Sequence, residues 1–405
     1  MANILVIGGG PAGLTAAIFA SRNNHQVTII ERNSSCGKKL LLTGNGKCNF
    51  WNEEESISHF HSNTSDVLEK IITKENLEQT KKFLQKIGLI PYIKNGYYYP
   101  FSNQSFTVKQ ALLIECQKRN ITIRTGEKIE NIKKQENKFY VTTDTLDYVF
   151  DKIILATGSK AYPKTGSDGS GYILANSLGH TITNVTPSLV QLLLDFPDLK
   201  KWAGIRTQAR VSLLDKDQKI AEQTGELQLT DYGASGICIF NLSRYVNRSD
   251  SKDLTLEINF LPFVETDTLT FLEKQNELVE NRSIGELLEC IIHYKLVEIL
   301  LNLGKMSYNS KWSELKPQEK KKMVEILTKM QIKITGTKGF EHSQVCAGGI
   351  PLSEINPITL ESTIVKNLFI AGELLDIDGD CGGYNLMTSF LTGALAGKGA
   401  SEEVD

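Results

Sequence analysis

Nowhere in the 405-residue chain do two cysteines stand in a C-x-x-C spacing. The seven that occur, Cys36, Cys48, Cys116, Cys238, Cys290, Cys346 and Cys381, are scattered and odd in number. This excludes a disulfide framework and a zinc-type ligand set, leaves no metal-ligating residues to name, and points to a reducing, cytoplasmic setting. An excess of one charge is also missing. Forty-five basic residues against 47 acidic ones leave a formal charge of −2, so no general field draws the protein to nucleic acid or to a membrane surface. No stretch reaches the roughly 20 apolar residues of a transmembrane helix. The apolar start, Met1 to Gly10, has no basic flank and runs into glycines, so it reads as a strand and not as a signal peptide. Internal repeats and low-complexity segments are absent.

What is present is an ordinary globular composition, 40% hydrophobic and 23% charged. At about 150 residues per domain the length suggests two or three domains. Ile4 to Ile7, an Ala-rich helix from Pro11 to Arg22, and Val27 to Ile30 make a βαβ unit. From Ile121 to Ala156, β-branched runs alternate with turns and end in a strong strand. Pro187 marks a change. Residues 188 to 262 read as a sheet-rich insert, with Ala209 to Leu214 and Leu254 to Phe260 alternating as strands do. Residues 263 to 331 turn helical. Ser283 and Glu286 form a capping box ahead of one helix that carries Ile284, Leu287, Leu288, Ile291 and Ile292 and closes at Gly304. The lysines Lys320 to Lys322 read as a solvated face of the next helix. After Lys338 the glycines return, with a strand from Val365 to Ala371 and a Gly/Ala-rich helix from Thr388 to Lys398. The expected architecture is an α/β, Rossmann-like domain built from both chain ends (residues 1–187 and 340–405). Into it are inserted a β-barrel-like domain (188–262 with about 332–339) and a helical domain (263–331).

Gly8-Gly9-Gly10-Pro11-Ala12-Gly13 is a G-x-G-x-x-G that follows a strand and opens a helix. Gly8 allows the tight turn, Gly10 lets backbone approach a pyrophosphate, and Gly13 lets helix and strand pack closely. The helix N-terminus offers N–H groups to the phosphates. Glu31 ends the second strand at about the spacing, roughly 20 residues, at which a carboxylate takes ribose hydroxyls. The same carboxylate disfavours a 2′-phosphate, hence NADP, at this site. The choice between FAD and NAD rests on three further segments. Ile153 to Ala156 ends in Thr157-Gly158. Leu368 to Ala371 ends in Gly372-Glu373, where an acid is placed to meet a ribitol hydroxyl. Cys36 to Asn49 concentrates glycine, lysine and small polar residues, so that Lys38 or Lys39 can pair with a pyrophosphate and Gly44, Asn45 and Gly46 can line a flavin ring. Gly382-Gly383-Tyr384-Asn385 then opens a helix whose N-terminus favours negative charge on a reduced flavin. Together these select FAD, bound non-covalently.

The segment Gly37 to Asn49 resembles the signature of a three-domain bacterial flavoprotein family that includes aminoacetone oxidase and 3-dehydro-bile-acid Δ4,6-reductase-like proteins. Cys346 to Ile350, Ala371 to Gly379 and Gly382 to Leu386 are similar to that family's other hallmark, and Thr165 to Gly169 and Ala234 to Gly236 look like further landmarks. Ile237 departs from the pattern, standing where many relatives have proline. The resemblance implies an FAD domain, a barrel-like domain and a helical domain.

The cofactor-binding candidates are accordingly Gly8, Gly10, Pro11, Ala12, Gly13, Glu31 and Arg32 at the first turn; Lys38, Lys39, Gly46 and Asn49 in the loop; Ile129, Thr157 and Gly158 from the middle of the domain; and Gly372, Glu373, Asp376, Gly383, Asn385 and Leu386 near the C-terminus. Catalytic candidates are Asn45, Lys47, Cys48, His342 and Tyr384, with Tyr97 to Tyr99 as possible pocket walls and His293 as a structural residue. No second G-x-G-x-x-G is present, so a nicotinamide reductant, NAD(P)H, would visit the flavin only transiently. The function expected is two-electron hydride transfer at flavin N5 on a small organic substrate, as an oxidase or as a C=C reductase. The alternatives are a flavin-binding module with an RNA or protein partner, and a flavin-free NAD dehydrogenase.

Overall fold

Asn3–Ile7 is the middle strand of a five-stranded parallel sheet in a computed structural model that describes residues 1–279 and 282–402. Leu368–Ile370 and Lys152–Leu155 lie on one side of it, Gln26–Glu31 and Thr122–Thr125 on the other. Ile4, Leu5 and Val6 are fully buried, as are Ile153, Ile154 and Leu155. Strands covered on both faces read as unbroken apolar runs, which is why these were legible. The helix Pro11–Ala20 follows the first strand. It packs on the C-terminal helix Tyr384–Ser401, whose glycines make the approach possible: a Cβ on Gly393 would stand 2.4 Å from Ala12 O, and one on Gly397 2.3 Å from Ala16 O. Between Thr125 and Lys152 the chain makes a three-stranded antiparallel meander, Ile129–Gln135, Lys138–Thr143 and Asp147–Phe150.

These elements belong to one compact unit, formed by Met1–Pro187 and the chain from Ser343 onward; Ser188–His342 forms a second. In the second unit six strands close a barrel in the order Leu192–Asp195, Gly233–Ser235, Gln218–Thr230, Arg206–Asp215, Leu254–Asn259 and Met330–Thr337. The last strand pairs back to the first. Barrel residues such as Val211 and Leu256 share one apolar cluster with helical residues such as Leu272, Leu296 and Met323. The barrel-like and helical inserts expected as separate domains therefore share a core.

Three local expectations need correction. The sheet-rich insert contains the helix Ile237–Arg248, which starts at the position where a proline would also suit a first helical turn. The single helix from Ser283 to Gly304 is two, Ile284–Glu289 and Tyr294–Gly304. The capping box on Ser283 is present, but His293 caps the second helix by accepting from Lys295 N, and the apolar periodicity runs on across the break. The strand expected from Val365 to Ala371 is only Leu368–Ile370. None of the seven cysteines is in a disulfide. Among the described residues no helix is long and apolar enough to cross a membrane.

Candidate active site

The first turn is fixed by sterics. Gly8 has φ +106°, and a Cβ there would lie 2.5 Å from Ala156 O; a Cβ on Gly13 would lie 1.9 Å from Gly8 O. A Cβ on Gly10, in contrast, would meet nothing within 4 Å. Gly10 is also the N-cap of the following helix, Pro11 is its first residue, and no side chain caps it. The leading N–H groups of this helix, those of Ala12 and Gly13 among them, thus have no side-chain cap, and phosphate oxygens are the matching chemistry. Glu31 is held against this turn. Its Oε2 accepts from Gly9 N at 2.7 Å and its Oε1 from Asn33 N and Nδ2, each at 2.7 Å. Arg32 points to Asp168 instead, in an ion pair of 2.5 Å. Burial alone would raise the Asp168 pKa, but hydrogen bonds from Arg32 and Ser170 outweigh it and bring it down to about 2. Thr157 and Gly158 follow the strand Lys152–Leu155, with Gly158 at φ +76°. Ile129 is buried at the start of the antiparallel meander.

Farther along, Lys39 is committed within the protein. Its Nζ donates to Glu373 Oε2 at 2.7 Å, and Ser159 Oγ donates to the same oxygen at 2.8 Å. The expected pairing of Lys39 with a pyrophosphate is replaced by this bridge; Lys38 is exposed. Glu373 keeps Oε1 for another donor. The preceding residue, Gly372, has φ +74° and donates its N–H to Thr392 Oγ1 at 2.9 Å.

The loop Thr43 to Asn49 and the turn Gly379 to Asn385 meet at Gly383. A Cβ on Gly383, where φ is +100°, would stand 2.8 Å from Trp51 O and 3.0 Å from Asn49 Oδ1. That Asn49 oxygen is buried and has no hydrogen-bond partner in the protein. A buried acceptor without a donor is costly unless a ligand supplies one. Gly383 is the N-cap of the C-terminal helix, again with no side-chain cap. Asn385 does not point away from the protein: its Oδ1 accepts from Gly379 N at 2.9 Å and its Nδ2 donates to Gly379 O at 2.8 Å. Leu386 N donates to Gly383 O at 3.1 Å. Asp376 is buried and accepts from Asn63 N and Nδ2 at 3.2 and 2.7 Å. Asn385 and Asp376 thus brace the turn, because a chain reversing through left-handed glycines needs side chains to satisfy its backbone.

The catalytic candidates divide. Asn45 and Lys47 are exposed beside Gly46, whose Cβ direction is open. Cys48 is fully buried, and burial pushes its thiol up to about 12. Cys381 is pushed to about 12 by burial and by Asp380. Neither is a ready thiolate, and neither is in a disulfide. His342 is exposed and falls in the second unit. Tyr384 is buried and stacks on His59, with centroids 4.6 Å apart and planes 15° apart. Tyr97 is within reach of the same turn: a Cβ on Gly382 would lie 3.0 Å from its Cε1.

The sequence reading missed His59, His61 and Asp380. Asp380 Oδ2 accepts from His59 Nδ1 at 3.0 Å and its Oδ1 from His61 Nε2 at 2.9 Å. No local signal announces a contact that spans most of the chain. A second histidine line has a different character. His180 bonds Glu354 Oε2 through Nδ1 at 2.7 Å and Ser362 Oγ through Nε2 at 2.8 Å, the order of a nucleophilic triad. Yet Ser362 is buried and its Oγ also accepts N–H groups of Ile364 and Val365, so it anchors a loop.

Two uncapped helix N-termini, an open face at Gly10, a carboxylate at the end of the second strand and an orphaned acceptor at Asn49 fit a dinucleotide carrying an isoalloxazine. Fold and site define a Rossmann-type flavoprotein oxidoreductase. The chain belongs to the HI0933-like family, whose Rossmann-domain model matches residues 2–399. It is 38% identical over 99% of its length, and 100% of the relative's, to a 3-dehydro-bile acid delta(4,6)-reductase of Clostridium scindens. It is 25% identical over 94% of its length, and 93% of the relative's, to a ribosomal RNA dihydrouridine synthase of Escherichia coli. Its fold is similar to that of a 3-ketosteroid-delta4-(5alpha)-dehydrogenase from Rhodococcus jostii, with a TM-score of 0.55, 14% identity, and coverage of 99% of this chain and 97% of that one.

Proposed function

We propose that the protein binds one FAD non-covalently and reduces a carbon–carbon double bond conjugated to a carbonyl in a small organic substrate, with NAD(P)H as a transient reductant. The observation that carries the reading is the buried, unpartnered Asn49 Oδ1 beside the uncapped head of the C-terminal helix. It is an acceptor suited to the N–H of an isoalloxazine pyrimidine ring, next to N–H groups that favour negative charge on that ring. The bound flavin supplies two-electron hydride chemistry. The chain's own residues hold and orient it. The N–H groups after Gly10 take the pyrophosphate, Glu31 takes the adenosine ribose, and Glu373, braced by Lys39 and Ser159, takes the ribitol.

The reaction class draws on two relatives whose names describe one kind of chemistry. A delta(4,6)-reductase of a 3-dehydro-bile acid and a synthase of dihydrouridine both saturate a C=C bond conjugated to a carbonyl. The nearly balanced charge of −2 provides no attraction for RNA, and the 38% identity favours a steroid-like acid over a ribosomal substrate.

The test is an absorbance spectrum of the purified protein, then anaerobic titration with NADH and NADPH, then addition of a 3-dehydro-bile acid carrying Δ4 and Δ6 double bonds. The expected result is a yellow protein bleached by one nicotinamide and recoloured by the dienone. Recolouring by a uridine-containing rRNA fragment and not by the dienone would transfer the reading to RNA.

A further inference from the structure

We propose that His59 is the proton donor of the reduction, with Asp380 as the residue that positions it. This rests on the function proposed above and assigns a role within the same site. The argument begins with the short antiparallel pairing of Phe60–His61 with Asp378–Gly379, in which Asp378 faces His61 and Gly379 faces Phe60. Asp380 N extends it by donating to His59 O at 2.9 Å. The pairing sets the Asp380 carboxylate between two imidazoles, on His59 Nδ1 at 3.0 Å and on His61 Nε2 at 2.9 Å. Burial by itself would raise the Asp380 pKa, but the hydrogen bonds from His61 and His59 prevail and hold it below the usual carboxylate range. An ionised carboxylate only accepts, so His59 must carry its proton on Nδ1. The nitrogen left to exchange a proton is His59 Nε2.

Three observations place that nitrogen at the chemistry. The His59 ring is stacked on Tyr384 at 4.6 Å, which fixes its plane. Tyr384 is the first residue of the helix whose uncapped N-terminus stands beside the orphaned Asn49 oxygen. His59 is 31% exposed at its side chain, against 17% for His61 and 14% for Asp380, so His59 has the contact with solvent that reloading requires. The other titratable groups around it are His61 on its own segment, Cys381 and Tyr384 from the turn and helix, and Glu54 and Tyr97, whose charges bear on Tyr384. Burial, with Asp380 next, pushes the Tyr384 hydroxyl up, which keeps it neutral beside the His59 ring.

The step balances as follows. The bound flavin would supply a hydride, with its electron pair, to the β-carbon of the conjugated substrate. The α-carbon takes a proton from Nε2–H of the doubly protonated His59 ring, whose bonding pair stays on nitrogen, leaving the neutral Nδ1–H form against Asp380. The substrate gains two electrons and two hydrogens, the flavin loses two electrons, and solvent returns a proton to His59.

The test uses the FAD-loaded full chain. In ¹⁵N-histidine NMR spectra taken where the ring is neutral, the wild type should show His59 as the Nδ1–H tautomer, the form left after donation, and Asp380→Asn should shift that pattern. With the flavin reduced by stoichiometric dithionite, His59→Gln should slow its reoxidation by the same dienone on the order of 10²- to 10⁴-fold. Its FAD content should be unchanged. His59→Ala should respond to added imidazole by regaining rate. A rate within threefold of wild type in His59→Gln, or an Nε2–H tautomer in the wild type, would overturn the proposal. Should the variants fail to fold, the wild-type tautomer still decides. Colourless protein counts against FAD binding. Yellow protein that the dienone cannot reoxidise counts against the substrate class and against proton donation to it.

Discussion

The two units spend their polar atoms differently. The barrel and its helices bury apolar side chains in one continuous cluster, and side chains cap several of those helices, at Asp267, Ser283 and His293, although Ile237–Arg248 starts at Gly236 without one. In the unit built from the chain ends the helices after Gly10 and Gly383 start without side-chain caps, and a buried acceptor with no donor, Asn49 Oδ1, lies beside the second of them. A fold under pressure only to be stable would close such gaps. An uncapped glycine turn ahead of a helix occurs in both units; what sets Gly383 apart is the unpartnered Asn49 oxygen beside it, the kind of gap a ligand completes.

Substitutions in each unit should separate the two roles. Gly383→Val has the largest expected effect, since its side chain would meet Trp51 O and Asn49 Oδ1 at a backbone angle that valine avoids. Heat-released flavin should fall to near zero in the soluble fraction. FAD retained at wild-type level would show that this turn does not hold the ring. Leu256→Ala, at a fully buried barrel position, should cost about 2–5 kcal/mol of stability. It lowers the thermal midpoint of the second unit while the flavin-to-protein ratio of folded material stays unchanged. Loss of flavin from that folded material would break the contrast. Glu31→Ala removes the acceptor of the Gly9 and Asn33 N–H groups and the one proposed for the ribose hydroxyls. With charge-assisted bonds worth about 1.5–3 kcal/mol each, apoprotein titrated with FAD should show affinity weakened by at least tenfold.

The smallest effect concerns pH. Asp168 has a folded pKa of about 2, below its ordinary value of 3.8. Its contribution is therefore fully present above pH 4 and fades as pH falls from about 4 towards 2. Both partners of its ion pair are more than a third exposed, so screening keeps the contribution below about 1 kcal/mol. Asp168→Asn should lower the melting temperature slightly at pH 7 and by less at pH 2. An equal loss at both would assign the effect to something other than the charge.

What could be read from sequence was whatever is local. The Gly8 to Gly13 turn, the apolar strands and the capping box at Ser283 each depend on neighbours a few residues apart. The break before His293 was hidden because Ile291 and Ile292 continue the helical period through it. The shared core of barrel and helices was invisible because periodicity reports which face is apolar and not what covers it. Lys39 reads as a phosphate ligand in a basic loop, yet its partner is Glu373, far along the chain. For the same reason His59 and Asp380 carried no signal: each is an unremarked polar residue until the fold pairs them.

The central claim is that the unit built from the chain ends is completed by FAD. The most direct measurement is the ratio of heat-released FAD to protein in the purified full chain, after reconstitution with excess FAD and removal of the unbound fraction. The account predicts about one FAD per chain, together with a rise in thermal midpoint over the apoprotein. A ratio near zero with no change in the midpoint would contradict it.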